Sequence, residues 1–381
     1  MSDAIEEPQG KPETLMHSII KRIATGPELS KDISREEARL GMRCVLEGVV
    51  DPVQAGVFLI ALRMKRETDE ENQGILEALL DVTQSVSAPV PDVVNLADPY
   101  DGYNRTLPVS PFLPAVLAAS GVPTVCHGVE AMGPKYGITH RQVLSAAGIP
   151  VDLSPAQAAA RLSDLNIGWA YVDQKVFCPK LYDLAKLRAL IVKRPALTTT
   201  ETLLGPVRGQ IRTHLITGYV HKPYPRIYAL LARRAGFESA LIVRGVEGGV
   251  IPSLRQVGKA FYYHDKGEEQ SVDFRPSDLG IDQPVVAEPM PGSGEGDRQE
   301  DDRPAPKLDS PRLAQAAAQA GLAALSGNFG TARDSLVCGA ALCLWHLKRH
   351  ESLQAAAAAV RRVLDSGAAL ERLHRAAAVK Q

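Results

Sequence analysis

Between Lys175 and Arg234 the chain carries Lys175, Lys180, Lys186, Arg188, Lys193, Arg194, Arg208, Arg212, Lys222, Arg226, Arg233 and Arg234, against only Asp183 and Glu201. In a protein of net charge -1 such a local excess is a candidate wall for phosphates or other anions. Solvated helix faces are the alternative reading. Other short stretches hold residues able to take part in anion or metal chemistry. Asp98-Pro99-Tyr100-Asp101-Gly102 follows an apolar run. It reads as a plain turn after a strand or as a pocket shaped for a ligand. Thr106 to Ser110, Cys126-His127-Gly128, Lys135 and His140, and Arg244 to Ile251 with its single carboxylate Glu247 complete the set.

The bulk numbers exclude several classes. With 381 residues, 45% hydrophobic and 23% charged, the chain can bury a large core, divided between a small and a large domain. Aromatic residues make up 5%, poor material for an extended base-stacking surface. The cysteines Cys44, Cys126, Cys178, Cys338 and Cys343 are odd in number and form no CxxC pair, so we expect reduced core thiols and a cytoplasmic protein. The N-terminus is acidic and polar, unlike a signal peptide, and no apolar run reaches the ~20 residues that span a bilayer.

The elements that must position these residues fall into two textures. Residues 1–12 read as a disordered tail. Residues 13–86 read as a helical domain: Ile19, Ile20 and Ile23 recur at helical spacing, and Ser34 with Glu37 makes a capping box before a buried stripe of Ala38, Met42, Val45 and Leu46. A third helix opens on Asp51-Pro52, and a fourth has an acidic first turn after Thr68. Beyond Pro91, β-branched runs alternate with helical stretches. This predicts an α/β domain over 87–381 with a mainly parallel sheet and a small antiparallel addition in 255–285. Residues 286–308, rich in Pro, Gly and acids, read as a mobile loop, and three Ala-rich helices follow near 311–325, 331–347 and 351–365.

Three stretches, in order along nearly the whole chain, resemble the anthranilate phosphoribosyltransferase family of glycosyltransferase family 3. They are Gln54 to Lys65 (Q-A-x-x-F-L-x-A-L-R-x-K) followed by E-T-x-E-E, the apolar strand ending in Arg244-Gly245, and the closing L-S-G, R-D and D-S-G pattern after Leu325. The resemblance implies a small helical domain beside a large α/β domain, a homodimer through the helical domain, and transfer of ribose 5-phosphate from phosphoribosyl diphosphate. Magnesium is implied only where that substrate is bound. The family's glycine loop is matched by Ala97 to Gly102, where Asp101 and Gly102 remain, the other three glycines are replaced by Ala97, Pro99 and Tyr100, and Asp98 adds a negative charge. Pro99 removes an N–H donor, and a carboxylate about 4 Å from a phosphate costs on the order of 4 kcal/mol before screening. Thr106 and Ser110 match the family's T-F-N-I-S, with Ser110 at the metal-contacting serine. His127 and Gly128 remain of K-H-G-N-R, and Lys135 lies in a phosphate loop. Val250 and Ile251 stand where the metal-holding carboxylates would be, leaving Glu247 as a weak metal candidate. Arg188 matches the acceptor-contacting arginine. With Lys180, Lys186, Arg194 and Arg244 it forms the expected acceptor or anion wall.

The V-E-G-G block and the basic segment also resemble a divergent branch of the family that lacks the glycine loop and binds nucleic acid. The sequence thus leads to two expectations. One is a repurposed member that has lost the standard reaction and binds an anion, either single-stranded nucleic acid or a phosphorylated small molecule. The other is an active phosphoribosyltransferase with an altered acceptor, whose remnant site comprises Asp101, Gly102, Ser110, His127 and Arg188.

Overall fold

A computed structural model describes residues 11–26, 28–292 and 308–378. The chain divides into two compact units, residues 1–82 with 180–201, and residues 83–179 with 202–381.

The first unit is built on four helices, α1 (Pro12–Ile23), α2 (Arg35–Leu46), α3 (Pro52–Lys65) and α4 (Asp69–Asp81). Capping boxes at Ser34/Glu37 and Thr68/Glu71 start α2 and α4 by satisfying backbone N–H groups that have no helical partner. The E-T-x-E-E phrase has a second physical purpose. Glu71 is fully buried, accepts from the Ile33 N–H at 2.9 Å and pairs with Lys65 at 2.8 Å, so it ties α3, α4 and the loop before α2 together.

In the second unit, β1 (Val86–Ser87) precedes β2 (Asp92–Ala97), α5 (Leu113–Ala119), β3 (Thr124–Gly128), α6 (His140–Ala146), α7 (Pro155–Ser163) and β4 (Trp169–Asp173). Four short helices follow, α8 (Gln174–Phe177), α9 (Pro179–Tyr182), α10 (Ala185–Ile191) and α11 (Leu197–Thr200). Of these, α10 and α11 belong to the first unit and pack on α3 and α4. Sequence texture assigns this segment to the α/β part; the buried Arg188–Glu201 pair closes it on itself within the helical unit. The chain returns with β5 (Val207–Arg208), β6 (Arg212–Tyr219), α12 (Tyr224–Arg234), β7 (Ser239–Arg244), β8 (Gly258–Tyr263) and β9 (Gln270–Phe274). It ends with α13 (Ser310–Leu325), α14 (Thr331–His346), α15 (Leu353–Asp365) and α16 (Ala368–Ala378), the last without a counterpart in the sequence reading.

The main sheet has the order β4-β3-β2-β6-β7-β8-β9. Its first five strands are parallel, and β8 and β9 are antiparallel, the small addition expected from 255–285. The parallel strands read as continuous apolar runs because helices cover both faces. α14 is buried almost all round; Gly339 keeps it close to Leu113 and Ile251, where an added Cβ would sit 3.1–3.2 Å from their side chains. Residues 286–292 are tied to the body by two N–H donations, Leu107 to Glu288 and Leu254 to Val286. Residues 293–307 of the expected mobile loop, and residues 1–10 of the expected tail, lie outside the described residues. All five cysteines are free and buried.

At the amino ends of the strands, His214, Ser239 and His346 form a buried chain, with the Ser239 hydroxyl 2.8 Å from His214 Nδ1 and 2.9 Å from His346 Nε2. Burial pushes His214 down to about 4 and His346 well below the ordinary histidine value. Both are neutral in the fold but gain protons in the unfolded chain below about pH 6.5. The unfolded state then binds more protons, so stability falls as pH drops from 6.5 toward 4, by about 1.4 kcal/mol per pH unit for each differential proton. Urea midpoints across this range should fall with acidity. His214→Gln, which keeps a polar partner for Ser239 and cannot titrate, should flatten the fall; an unchanged slope refutes the assignment.

Candidate functional site

The loop residues singled out by sequence, apart from the basic segment, gather at the carboxyl ends of β2, β3 and β7, where loops of an open parallel sheet carry ligand sites. Asp98 follows β2 and is 3% exposed. Its carboxylate accepts from Tyr103 Oη at 2.6 Å, from Ser110 Oγ and from the Val250 N–H at 2.9 Å, and it faces His140 Nε2 at 2.8 Å. Burial pushes this carboxyl up. The His140 charge, with hydrogen bonds from His140, Ser110 and Tyr103, outweighs burial and holds it below the usual range. The sequence reading sets the Asp98 charge against an incoming phosphate; in the fold that charge is turned inward and fully partnered. Burial and the Asp98 charge raise the Tyr103 phenol well above its ordinary value, so it donates and stays neutral.

The loop after Asp98 touches residues 133–138 through the Tyr103↔Ile138 bridge. The approach requires glycine on both sides. Gly102 has φ +74°, and a Cβ there would fall 2.6 Å from Gly137 backbone; one on Gly137 would fall 2.4 Å from the Tyr103 nitrogen. Lys135 is drawn in by this contact and donates to the Gly102 carbonyl at 2.7 Å.

Glu247, in the turn after β7, has φ +54°, a left-handed conformation rare outside glycine. Its carboxylate lies in a nest of three successive backbone donors, the N–H groups of Asn104 at 3.0 Å, Arg105 at 3.0 Å and Thr106 at 2.9 Å. It also accepts from Thr106 Oγ1 at 2.9 Å and pairs with Lys135 Nζ at 3.0 Å. Burial pushes this carboxyl up; the Lys135 charge and the bonds from Asn104 and Thr106 bring it below the usual range. A run of convergent N–H groups beside a lysine is an anion site by construction, and here the protein's own carboxylate sits in it.

His127 closes β3. Its Nδ1 is bonded to Tyr100 Oη, its ring meets Phe177 edge-on at 5.7 Å, and its buried Nε2 has no protein partner. Burial, then the His140 charge, pushes His127 down to about 3, so it is neutral. Gly128 follows it at the strand end. Asp101 is buried in the same loop. Val250 and Ile251 belong to the core, 1% and 7% exposed. Among the described residues no group of three or more His, Cys, Asp or Glu is arranged to hold a metal ion.

The structure thus brings together Asp101, Gly102, Thr106, Ser110, His127, Gly128, Lys135 and Glu247 in the α/β unit. Arg244 is exposed at the end of β7 in that unit. The other basic candidates are in the helical unit: Lys180 pairs with Glu47 at 2.7 Å, Lys186 and Arg194 are exposed, and Arg188 is 2% exposed in a bidentate pair with Glu201 at 2.6 and 2.8 Å. Sequence reasoning did not single out Tyr103 and Tyr100 as binding partners of Asp98 and His127. Their only sequence signal is two tyrosines within the D-P-Y-D-G-Y turn.

Asp98→Ala strands His140, Tyr103, Ser110 and a buried N–H together and should cost about 3–5 kcal/mol. Tyr103→Phe, which removes one donor, should cost about 1 kcal/mol. Urea unfolding separates the two, and equal losses would contradict the central place given to Asp98.

Comparison with known proteins adds the following. Residues 17–83 match the glycosyl transferase family helical bundle domain, and residues 101–294 match the glycosyl transferase family a/b domain. The anthranilate phosphoribosyltransferase of Thermomicrobium roseum is 27% identical over 368 residues, 95% of this chain and 96% of that protein. An uncharacterized protein of Aquifex aeolicus is 29% identical over 238 residues, 62% of this chain and 71% of that protein. Among solved structures, the Thermus thermophilus anthranilate phosphoribosyltransferase matches with a TM-score of 0.71 at 19% identity, over 96% of this chain and 98% of that chain. The Saccharomyces cerevisiae enzyme in complex with PRPP and Mg matches with a TM-score of 0.73 at 17% identity, over 95% and 96%.

Proposed function

The chain belongs to the glycosyl transferase family as a protein similar to the anthranilate phosphoribosyltransferases, and from that premise we propose that it has lost the standard transfer reaction and serves as an anion-binding protein. One observation carries the reading: the N–H nest at 104–106 and Lys135, the donors best suited to a diphosphate, are taken by the internal carboxylate of Glu247. A diphosphate entering that loop has to displace Glu247 and break an ion pair that is largely shielded from water.

The residues do not fit magnesium either. A hard cation needs several free oxygen ligands, and two of the carboxylates in these loops, Asp98 and Glu247, are already surrounded by donors, while among the described residues no group of three or more His, Cys, Asp or Glu is arranged around a common point. Ser110 is engaged by Asp98 and His140.

What favours retained anion binding is the exposed surface beyond β6 and β7. His221 is exposed and Tyr224 half-buried, with ring centroids 6.4 Å apart, and the same segment carries the exposed Lys222 and Arg226; Tyr228, behind Tyr224, is buried. Arg244 is exposed at the end of the neighbouring strand. Aromatic faces interleaved with cations suit a single-stranded nucleic acid, where bases stack and phosphates pair without sequence readout. The helical unit is proposed to supply the dimer contact, which light scattering would test.

Three results are expected. The protein should not turn over phosphoribosyl diphosphate with anthranilate, and calorimetry with that substrate and magnesium should give no heat at millimolar concentration. Measurable turnover would favour the other reading, an active transferase with an altered acceptor. Glu247→Ala should bind inorganic pyrophosphate about tenfold or more tightly than wild type, because the nest is vacated. Single-stranded oligonucleotide affinity should fall steeply with salt, and Lys222→Ala and Arg244→Ala should each reduce the log–log slope by about 0.7.

A further inference from the structure

The site above lies at the carboxyl ends of the strands. At their amino ends the α/β unit holds a separate cavity of roughly 360 Å³, within the size range that takes a metabolite. Its walls are the first residues of β2, β6 and β7, the turn after β8 and the end of α14.

Two observations, the polar back wall and the unpaired charges of the rim, set this cavity apart from a packing defect. Its back wall is an ordered polar chain, His214–Ser239–His346. His264 extends it by donating from Nε2 to the His346 carbonyl at 2.8 Å and stacking on the His346 ring at 4.6 Å. His346 is 1% exposed, and its Nδ1 is buried without a partner. A core with no call for polar groups would fill this volume with apolar side chains.

The rim is built from ordered turns: Asp265 and Lys266, at φ +53° and +54°, lie in the turn after β8 closed by the Gly267 N–H on the His264 carbonyl at 2.8 Å, and Lys348, at φ +56°, ends α14, where the Arg349 N–H donates to the Leu344 carbonyl at 2.9 Å.

The charges point to the ligand's sign. Arg212 is forked by Asp92 at 2.9 and 2.8 Å, and Glu238 faces Lys266 at 3.6 Å, so these pairs neutralise themselves. Lys348 and Arg349, exposed on successive residues after α14, form no salt bridge among the described residues. Against these two cations the rim offers one unpaired carboxylate, Asp265.

We propose that this cavity binds a small oxyanion-bearing molecule, a phosphate ester or a carboxylate, through Lys348 and Arg349, with the imidazoles of His264 and His214 behind them. Lysine supplies a point charge and arginine a fork that matches two oxyanion oxygens. The bound charge favours protonation of the histidine wall, so imidazole signals report occupancy.

The test follows histidine ring resonances of the full chain by NMR at constant ionic strength. The probes are inorganic phosphate and, separately, acetate. A saturable shift of His264 and His214 at millimolar phosphate is expected. A response to phosphate alone identifies a phosphate-bearing ligand, and a response to both identifies a general oxyanion site. Lys348→Gly combined with Arg349→Gln should weaken the response about tenfold or more while leaving the urea midpoint unchanged, because both side chains are exposed and glycine suits the backbone at 348. Shifts that do not saturate, or a variant that binds phosphate as well as wild type, would overturn the proposal. Glu247→Ala leaves these resonances unmoved, so failure at the 104–106 nest and failure here are read separately.

Discussion

The carboxyl end of the α/β unit depends on the charge of Asp98. A carboxylate this deeply buried is tolerable only if donors surround it. Those donors come from four places along the chain: Tyr103 in its own loop, Ser110 before α5, His140 at the start of α6 and the backbone of Val250 after β7. Each fixes a loop that would otherwise be free to move. The neighbouring positions of Gly102, Lys135 and Glu247 follow from this, because the loops that carry them are anchored on the same carboxylate.

Glu247 shows the same physics at the next step outward. A nest of N–H groups with a lysine beside it requires negative charge, and a left-handed turn after β7 delivers a carboxylate to it. Anion affinity at this place is therefore expressed inside the protein. The basic segment makes a related point. Its charges read as one wall in the sequence, yet Arg188, Lys180 and Arg212 each hold an acidic partner, Glu201, Glu47 and Asp92. What remains to meet a ligand is set by pairing, which a charge count along the chain does not reveal.

The elements themselves were legible. Ser34/Glu37 and Thr68/Glu71 mark helix starts by local hydrogen bonding alone, and the parallel strands announce themselves as apolar runs covered on both faces. The phrase from Gln54 through Glu71 carries both a helix and the Lys65–Glu71 pair that locks it. Segment 180–201 was harder. Its short helices carry weak periodicity, and its allegiance to the helical unit depends on packing against α3 and α4.

The sequence alone determined the two-part architecture, the parallel sheet with its antiparallel edge, and which residues stand in the loops at 97–110 and 126–135, since these depend on local periodicity, capping and residue identity. Tertiary structure decided what those residues do. The direction of Asp98, the occupant of the 104–106 nest and the histidine chain at the opposite end of the sheet arise from groups between five and more than a hundred positions apart. Such groups meet only when β2, β3, β6 and β7 lie side by side. A buried charge takes its partners from wherever the sheet brings them, and that choice is written in strand order.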